Sequence, residues 1–184
     1  MKNSFLQSSI KQFEYYKLLA ERAIAQLNNE KLYWQPAPES NSIAVIMNHI
    51  AGNMLSRFTD FLTSDGEKPW RNRDNEFEAP AEGHEQLLQK WNDAWQCLIN
   101  ALSSLTEDDL EKIIFIRNDG HTVTEAINRQ LAHYPYHVGQ IVYIAKMLKD
   151  AEWQSLSIPK NKSADYNSRK FSNEKEKRHF TDDL

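Results

Sequence analysis

The sequence predicts an all-α protein, a four-helix bundle. Apolar residues recur at three- to four-residue steps in four separate segments, the period of a helix with one buried face. Glycine is scarce, five in 184 residues and none in the first fifty, and prolines number only six. An all-β chain would need far more turn formers. The four segments are joined by one short and two longer connections, which suits packing side by side around a single core.

The first segment, from about Ser4 to Leu27, places Phe5, Ile10, Phe13, Tyr16, Leu19, Ala20, Ile24 and Leu27 on one face. Pro36 and Pro38 then stop any helix. Ser42 is a natural N-cap for a second helix from Ile43 to about Thr63, with Ile46, Met47, Ile50, Met54 and Phe58 on its apolar side. The stretch "SDGEKPWRNRDNEFEAPAEG" after it is polar, aromatic-studded and hostile to helix, a long loop of the kind that often covers a functional site. A third helix follows from about Glu85 to Ser104, carrying Leu87, Leu88, Trp91, Trp95, Leu98, Ile99 and Leu102. The β-branched run Ile113 to Ile116 and the Asn-Asp-Gly turn at 118 to 120 predict a short strand in a small ribbon, or an extended connector. Thr122 or Thr124 caps the fourth helix, which runs to about Leu148. The expected domain is therefore residues 1–153. Residues 154–184 read as a polar, partly flexible C-terminal extension, with too little apolar content to add to the core.

Composition narrows the function. Lys and Arg total 22 against 26 Asp and Glu, a net charge of −4. With no basic stripe before the tail, neither nucleic acid nor an anionic membrane is the expected partner. Cys97 is the single cysteine, so an intramolecular disulfide and a cysteine-based zinc site are both excluded. It reads as a small core residue. The first twenty residues lack the apolar core of a secretion signal, and no run is long enough to span a bilayer. The expected location is cytoplasmic.

The chemistry concentrates in "NRQLAHYPYHVGQIVYIAKML", Asn128 to Leu148. His133 and His137 are four residues apart, one turn along the same helix face, so two imidazoles can converge on one ion. The pair alone is equally compatible with packed or solvent-facing histidines. Its surroundings favour burial, since Ile127, Leu131, Val138, Ile141, Ile144 and Met147 make much of the helix apolar, and a buried imidazole needs partners for its nitrogens. His49, within "IAVIMNHIAGNML" on the second helix, is the candidate third ligand. His84, His121 and His179 lie at helix starts, in turns or in the tail, and are expected to be solvent-exposed. Three histidines leave coordination positions open, the mark of a catalytic metal site. There is no His-Glu-x-x-His, which disfavours a zinc protease. Asn53, Tyr136 and Gln140 stand in helical register with the ligands as candidate pocket residues. Pro135 removes a hydrogen bond to the Leu131 carbonyl and can re-aim both imidazoles by bending the helix.

One histidine on the second helix followed by "HYPYHVGQ" on the fourth resembles the DinB-like (YfiT-like) family of four-helix metalloproteins. "LYWQPAPESNSIAVIMNHIAGNM" and "DGEKPWRNRDNEFE" resemble an uncharacterised bacterial branch of it, and the likeness runs from about Phe5 to Asp150. The resemblance implies a DinB/YfiT-like bundle that holds one divalent ion, nickel, zinc or iron, on His49, His133 and His137, and that forms a homodimer. It also implies a small-molecule substrate and, from relatives of known chemistry, thiol transfer with a low-molecular-weight thiol as partner. Many relatives carry an arginine where this chain has Val138. Arg57, two turns beyond His49, is the candidate substitute for an anion-holding role. Two other readings stay open: a metal-dependent hydrolase, and a non-catalytic, stress-related bundle that binds a metal or ligand.

Overall fold

In the computed structural model, residues 4–80 and 83–182 are described. The first three residues of the expected bundle, positions 81 and 82 of the long loop and the last two of the tail lie outside them. Six α-helices occur among the described residues: α1 (Ser4–Ile24), α2 (Asn29–Leu32), α3 (Ile43–Phe58), α4 (His84–Ser103), α5 (Val123–Lys149) and α6 (Ser163–Phe171). α1, α3, α4 and α5 are the four expected long helices. α1 packs beside α5 and α4, and α3 beside α4 and α5, which closes a four-helix bundle.

Local chemistry sets the helix starts. Ser42 accepts a hydrogen bond from the Val45 amide at 3.2 Å and caps α3. Thr122, rather than Thr124, caps α5: its hydroxyl accepts from the Glu125 amide at 3.1 Å, and the Glu125 carboxylate accepts from the Thr122 amide at 2.8 Å. Thr124 instead donates to the Leu110 carbonyl at 3.1 Å. α5 passes through Pro135 without interruption.

The core is aromatic at its centre. Phe13, Trp91, Trp95 and Tyr134 are fully buried, and Tyr134 touches both Phe13 and Trp95 with ring centroids at 5.9 and 6.1 Å. Ile50, Met54, Leu98 and Ile141 fill the space around them. Each such side chain contributes about 1.5–3 kcal/mol by leaving water. The apolar faces therefore carry most of the stability.

Three details differ from the sequence reading. α3 ends at Phe58, five residues short of the expected Thr63, because Thr59 is extended and Asp60 takes a φ of 49°. The connector before α5 is the small ribbon that the sequence allows, with its turn elsewhere: β1 (Ile113–Ile116) pairs antiparallel with β2 (Asp119–Thr122), with Ile116 opposite Asp119. That register places the turn at Arg117-Asn118, with φ of 58° and 64°, and not at Asn-Asp-Gly. Positive φ at both loop residues matches the twist of a two-residue hairpin. The Asp65 carboxylate holds the turn by accepting from the Arg117 and Asn118 amides, each at 2.9 Å. Third, the tail contains α6, which buries no residue.

The end of the tail returns to α1. His179 Nε2 lies 3.1 Å from the Ser8 hydroxyl, Asp182 pairs with Lys11, and Phe180 sets its ring against Tyr15 at 5.4 Å. No helix among the described residues is long and apolar enough to cross a membrane.

Candidate metal centre

α3 is buried along its whole length except at Leu55, yet it carries polar residues in two parallel rows. Residues four apart share a helix face, so Asn48, Gly52 and Ser56 form one row, and His49, Asn53 and Arg57 the next. The first row receives the loop that follows α3. Asn48 donates to the Glu76 carbonyl at 3.2 Å, and Ser56 donates to the Gly66 carbonyl at 2.7 Å while accepting from the Lys68 amide at 3.2 Å. Gly52 leaves the room that Glu76 fills, since a Cβ there would stand 2.8 Å from the Glu76 carboxyl carbon. In the second row His49 and Asn53 face α5, while Arg57 reaches the loop.

That arrangement brings the three candidate ligands together. His49, His133 and His137 each offer a ring nitrogen, and the three nitrogens lie within 4.8 Å of one another. His133 Nε2 and His137 Nε2 are 3.1 Å apart. The imidazole of His49 meets the other two edge-on, with centroids at 5.5 and 4.9 Å.

Each histidine is also held from behind. His49 Nδ1 bonds Glu76 Oε2 at 2.9 Å, His133 Nδ1 bonds Gln130 Oε1 at 3.2 Å, and His137 Nδ1 bonds Gln140 Oε1 at 2.9 Å. An oxygen acceptor at Nδ1 places the proton there and leaves the Nε2 lone pair to bind. The Nε2 atoms of His133 and His137 then face one place, with a ring nitrogen of His49 within 4.8 Å. With both protons on Nδ1, the Nε2 lone pairs of His133 and His137 at 3.1 Å repel each other, and a cation between them removes that repulsion. Nitrogens bonded to a common ion at about 2.0–2.2 Å can be this close, so the donor set fits a divalent metal.

Electrostatics keep the pair ready to coordinate. Burial first, then the neighbouring imidazoles of His137 and His49, push His133 down to about 4. Burial also lowers His137, against its opposing hydrogen bond to the Gln140 oxygen. Both are neutral at neutral pH and need lose no proton to bind a metal. Glu76 answers differently. Burial pushes its carboxyl up, but the hydrogen bonds of His49 and Arg71 outweigh burial and hold it below the ordinary value. Arg71 grips that carboxylate with two nitrogens, Nε to Oε1 at 2.7 Å and Nη2 to Oε2 at 2.9 Å. Glu76 is thus an ionised anchor for His49, with its lone pairs engaged.

A cavity of about 300 Å³ opens on His49 and His133. Asn53 and Arg57 line it, as does Gln130. Asn53 accepts from the Tyr134 hydroxyl at 3.0 Å, and Arg57 donates to the Gly66 carbonyl and to Glu67. The other two candidate pocket residues lie on the far side of His137. Gln140 holds its Nδ1, and Tyr136 stacks edge-on against its ring at 5.0 Å while remaining 64% exposed. The remaining histidines stand apart from the cluster, though none is fully exposed: His84, His121 and His179 are all half-buried.

Glu76, Arg71 and Gln130 were not anticipated. Gln130 carries a readable signal, three residues before His133 as Gln140 is three after His137. Gly52 and the polar rows in an otherwise buried helix hint at a docked loop. Nothing in the spacing of the loop singles out Glu76 from its other acids.

Fold and site together define a helical bundle with three convergent histidines able to hold a metal ion. Residues 1–162, which include all four long helices and end just before α6, match the family described as Protein of unknown function (DUF1572), and the chain belongs to that family. A search of curated proteins finds no match.

Proposed function

We propose that this protein is a divalent-metal-dependent enzyme acting on a small molecule, with thiol transfer as its reaction. The observation that carries the metal is the convergence of three histidine ring nitrogens within 4.8 Å of one another, with each Nδ1 bonded to an oxygen acceptor. His49, His133 and His137 are the ligands, and nickel, zinc and iron all suit three imidazoles. Three protein ligands leave room for a small molecule, which distinguishes a catalytic from a closed structural site. The ion supplies Lewis acidity, which favours the thiolate form of a thiol near neutral pH.

Thiol transfer itself rests on the resemblance to DinB-like bundles, with which membership of DUF1572 is consistent. In it, a low-molecular-weight thiol loses its proton to solvent, and its sulfur forms a bond to an electrophilic carbon. The leaving group departs with the electron pair of the broken bond. Glu76 is not the base, because Arg71 and His49 hold it ionised and engaged. Gln130, Gln140 and Glu76 orient the imidazoles. The protein acts as a homodimer in the cytoplasm, without nucleic acid or membrane partners.

Elemental analysis of protein purified without affinity resin tests the site. One divalent ion per chain is expected, lost from the His49→Ala, His133→Ala double variant but retained when His84 or His121 is replaced. Metal content unchanged in the double variant overturns the assignment. Metal-dependent turnover with a thiol and an electrophile is the expected activity. Turnover of an ester or amide without a thiol would instead make the protein a hydrolase, and a metal-loaded protein inert to both classes would make it a binding bundle.

A further inference from the structure

The cavity in front of His49 and His133 has an unusual wall. Five of its nine lining residues are arginines, Arg57, Arg71, Arg73, Arg117 and Arg129, and the rest are the two histidines, Asn53 and Gln130. No carboxylate and no apolar residue among the described residues lines it. Carboxylates behind the wall do not balance it. Glu67 Oε2 is shared by Arg57, Arg71 and Arg117 at 3.3, 3.2 and 3.1 Å, and Glu76 serves Arg71 and His49. Asp65 is committed to the amides of Glu67, Arg117 and Asn118. Three carboxylates therefore stand against five guanidiniums. Arg129 has no carboxylate partner among the described residues, and Arg73 lies over the Phe77 ring at 5.0 Å without one.

Arg57 adds a second observation. It is 6% exposed, and its Nε is buried with no hydrogen-bond partner. A buried charged donor left unpaired is costly. Burial first, and Arg71 next, lower the Arg57 pKa from its ordinary value, against the opposing hydrogen bond to Glu67. Folded chains tolerate such a cluster where a ligand supplies the missing charge, and guanidinium groups match the geometry of carboxylate and phosphate oxygens.

We propose that this cavity binds the oxyanion group, carboxylate or phosphate, of the small molecule that meets the three-histidine site, with Arg57, Arg73 and Arg129 as its receptors. The inference deepens the proposed function by giving its substrate a charge, and it rests on that reading only for the word substrate. At about 300 Å³ the cavity is at the small end of ligand sites, so one oxyanion group and a short stem fill it. Histidine nitrogens at its edge set the reacting part of the molecule beside the ion while the anionic end is clamped.

The test uses the full chain after chelation, so that anion binding is read without metal. Inorganic phosphate, succinate and the neutral succinamide are titrated calorimetrically at low and high salt. Phosphate or succinate should bind, succinamide should not, and affinity should fall as salt rises. Arg73→Gln and Arg129→Gln, at exposed positions that leave the fold intact, should each weaken binding about tenfold, the loss of one charged hydrogen bond. Arg22→Gln, remote from the cavity, should change nothing. Tighter binding of phosphate would assign a phosphate ester, and tighter binding of succinate a carboxylic acid. Equal binding of succinamide, no binding of either anion, or anion binding indifferent to both cavity arginines overturns the proposal. Failure of the metal reading looks different: no ion in the untreated protein while arginine-dependent anion binding persists.

Discussion

α3 and α5 both supply histidines to one site, yet they hold them by opposite means. α3 is buried along nearly its whole length, and His49 is fixed from outside its helix by Glu76, itself clamped by Arg71. α5 buries ten of its 27 residues, and its pair is fixed from within, by Gln130 one turn before and Gln140 one turn after. One half of the site depends on a loop docking correctly. The other half is complete as soon as a single helix forms. Damage to the site should therefore spread into the fold on the α3 side and stay local on the α5 side.

Arg71→Ala is the strongest way to break that contrast. It leaves the Glu76 carboxylate buried with only His49 as a partner, and the Arg71 side chain is itself just 2% exposed. Removing one member of a buried ion pair typically costs about 3–5 kcal/mol. A loss near the lower end is expected in urea unfolding, together with loss of metal. Gly52→Ala sharpens the point without touching a charge. Its new methyl would displace the carboxylate, so metal affinity should fall more than stability does. If Arg71→Ala unfolds no more easily than the wild-type chain, the loop is not what fixes His49.

On the α5 side, Gln140→Ala removes the acceptor at His137 Nδ1 and nothing else that the core uses. Loss of such an orienting partner commonly costs about 10- to 100-fold in metal affinity. A fall of about tenfold is expected in a competition titration, with unfolding stability changed by less than about 0.5 kcal/mol. A stability loss matching that of Arg71→Ala would erase the distinction between the helices.

The same distinction explains what could be read from the sequence. The four helices were legible because their apolar period extends over many residues and tolerates errors at the ends. His133, His137 and Gln140 were legible because one helix relates them by fixed spacing. His49 could be found only as a polar residue where an apolar one was expected. Glu76, 27 residues further on and across a loop, has no such signature. The hairpin turn slipped by one position because Asn-Asp-Gly is the stronger turn signal, whereas Asp65, fifty-two residues before Arg117, stabilises Arg117-Asn118 through its amides. Local rules are readable from sequence; contacts made by a docked loop are not.

The tail offers the smallest expected effect and the cleanest separation from the site. A chain ending at Asn167 loses the end of α6 and the contacts of His179, Phe180 and Asp182 with α1. Phe180 is 59% exposed, and the Lys11–Asp182 pair is at the surface, where such pairs contribute about 0–1 kcal/mol. For a chain of this size, 1 kcal/mol shifts the melting temperature by about 2–4 °C. A shift no larger than that is expected, with metal content unchanged, because those contacts of the described tail residues go to α1 and not to the histidines. Fluorescence-monitored melting and elemental analysis of the shortened chain check both expectations. A cooperative loss of folding would show that the tail packs far more firmly than its exposed contacts account for. In that case a second copy of the chain, covering the tail against α1, becomes the explanation to test by sedimentation.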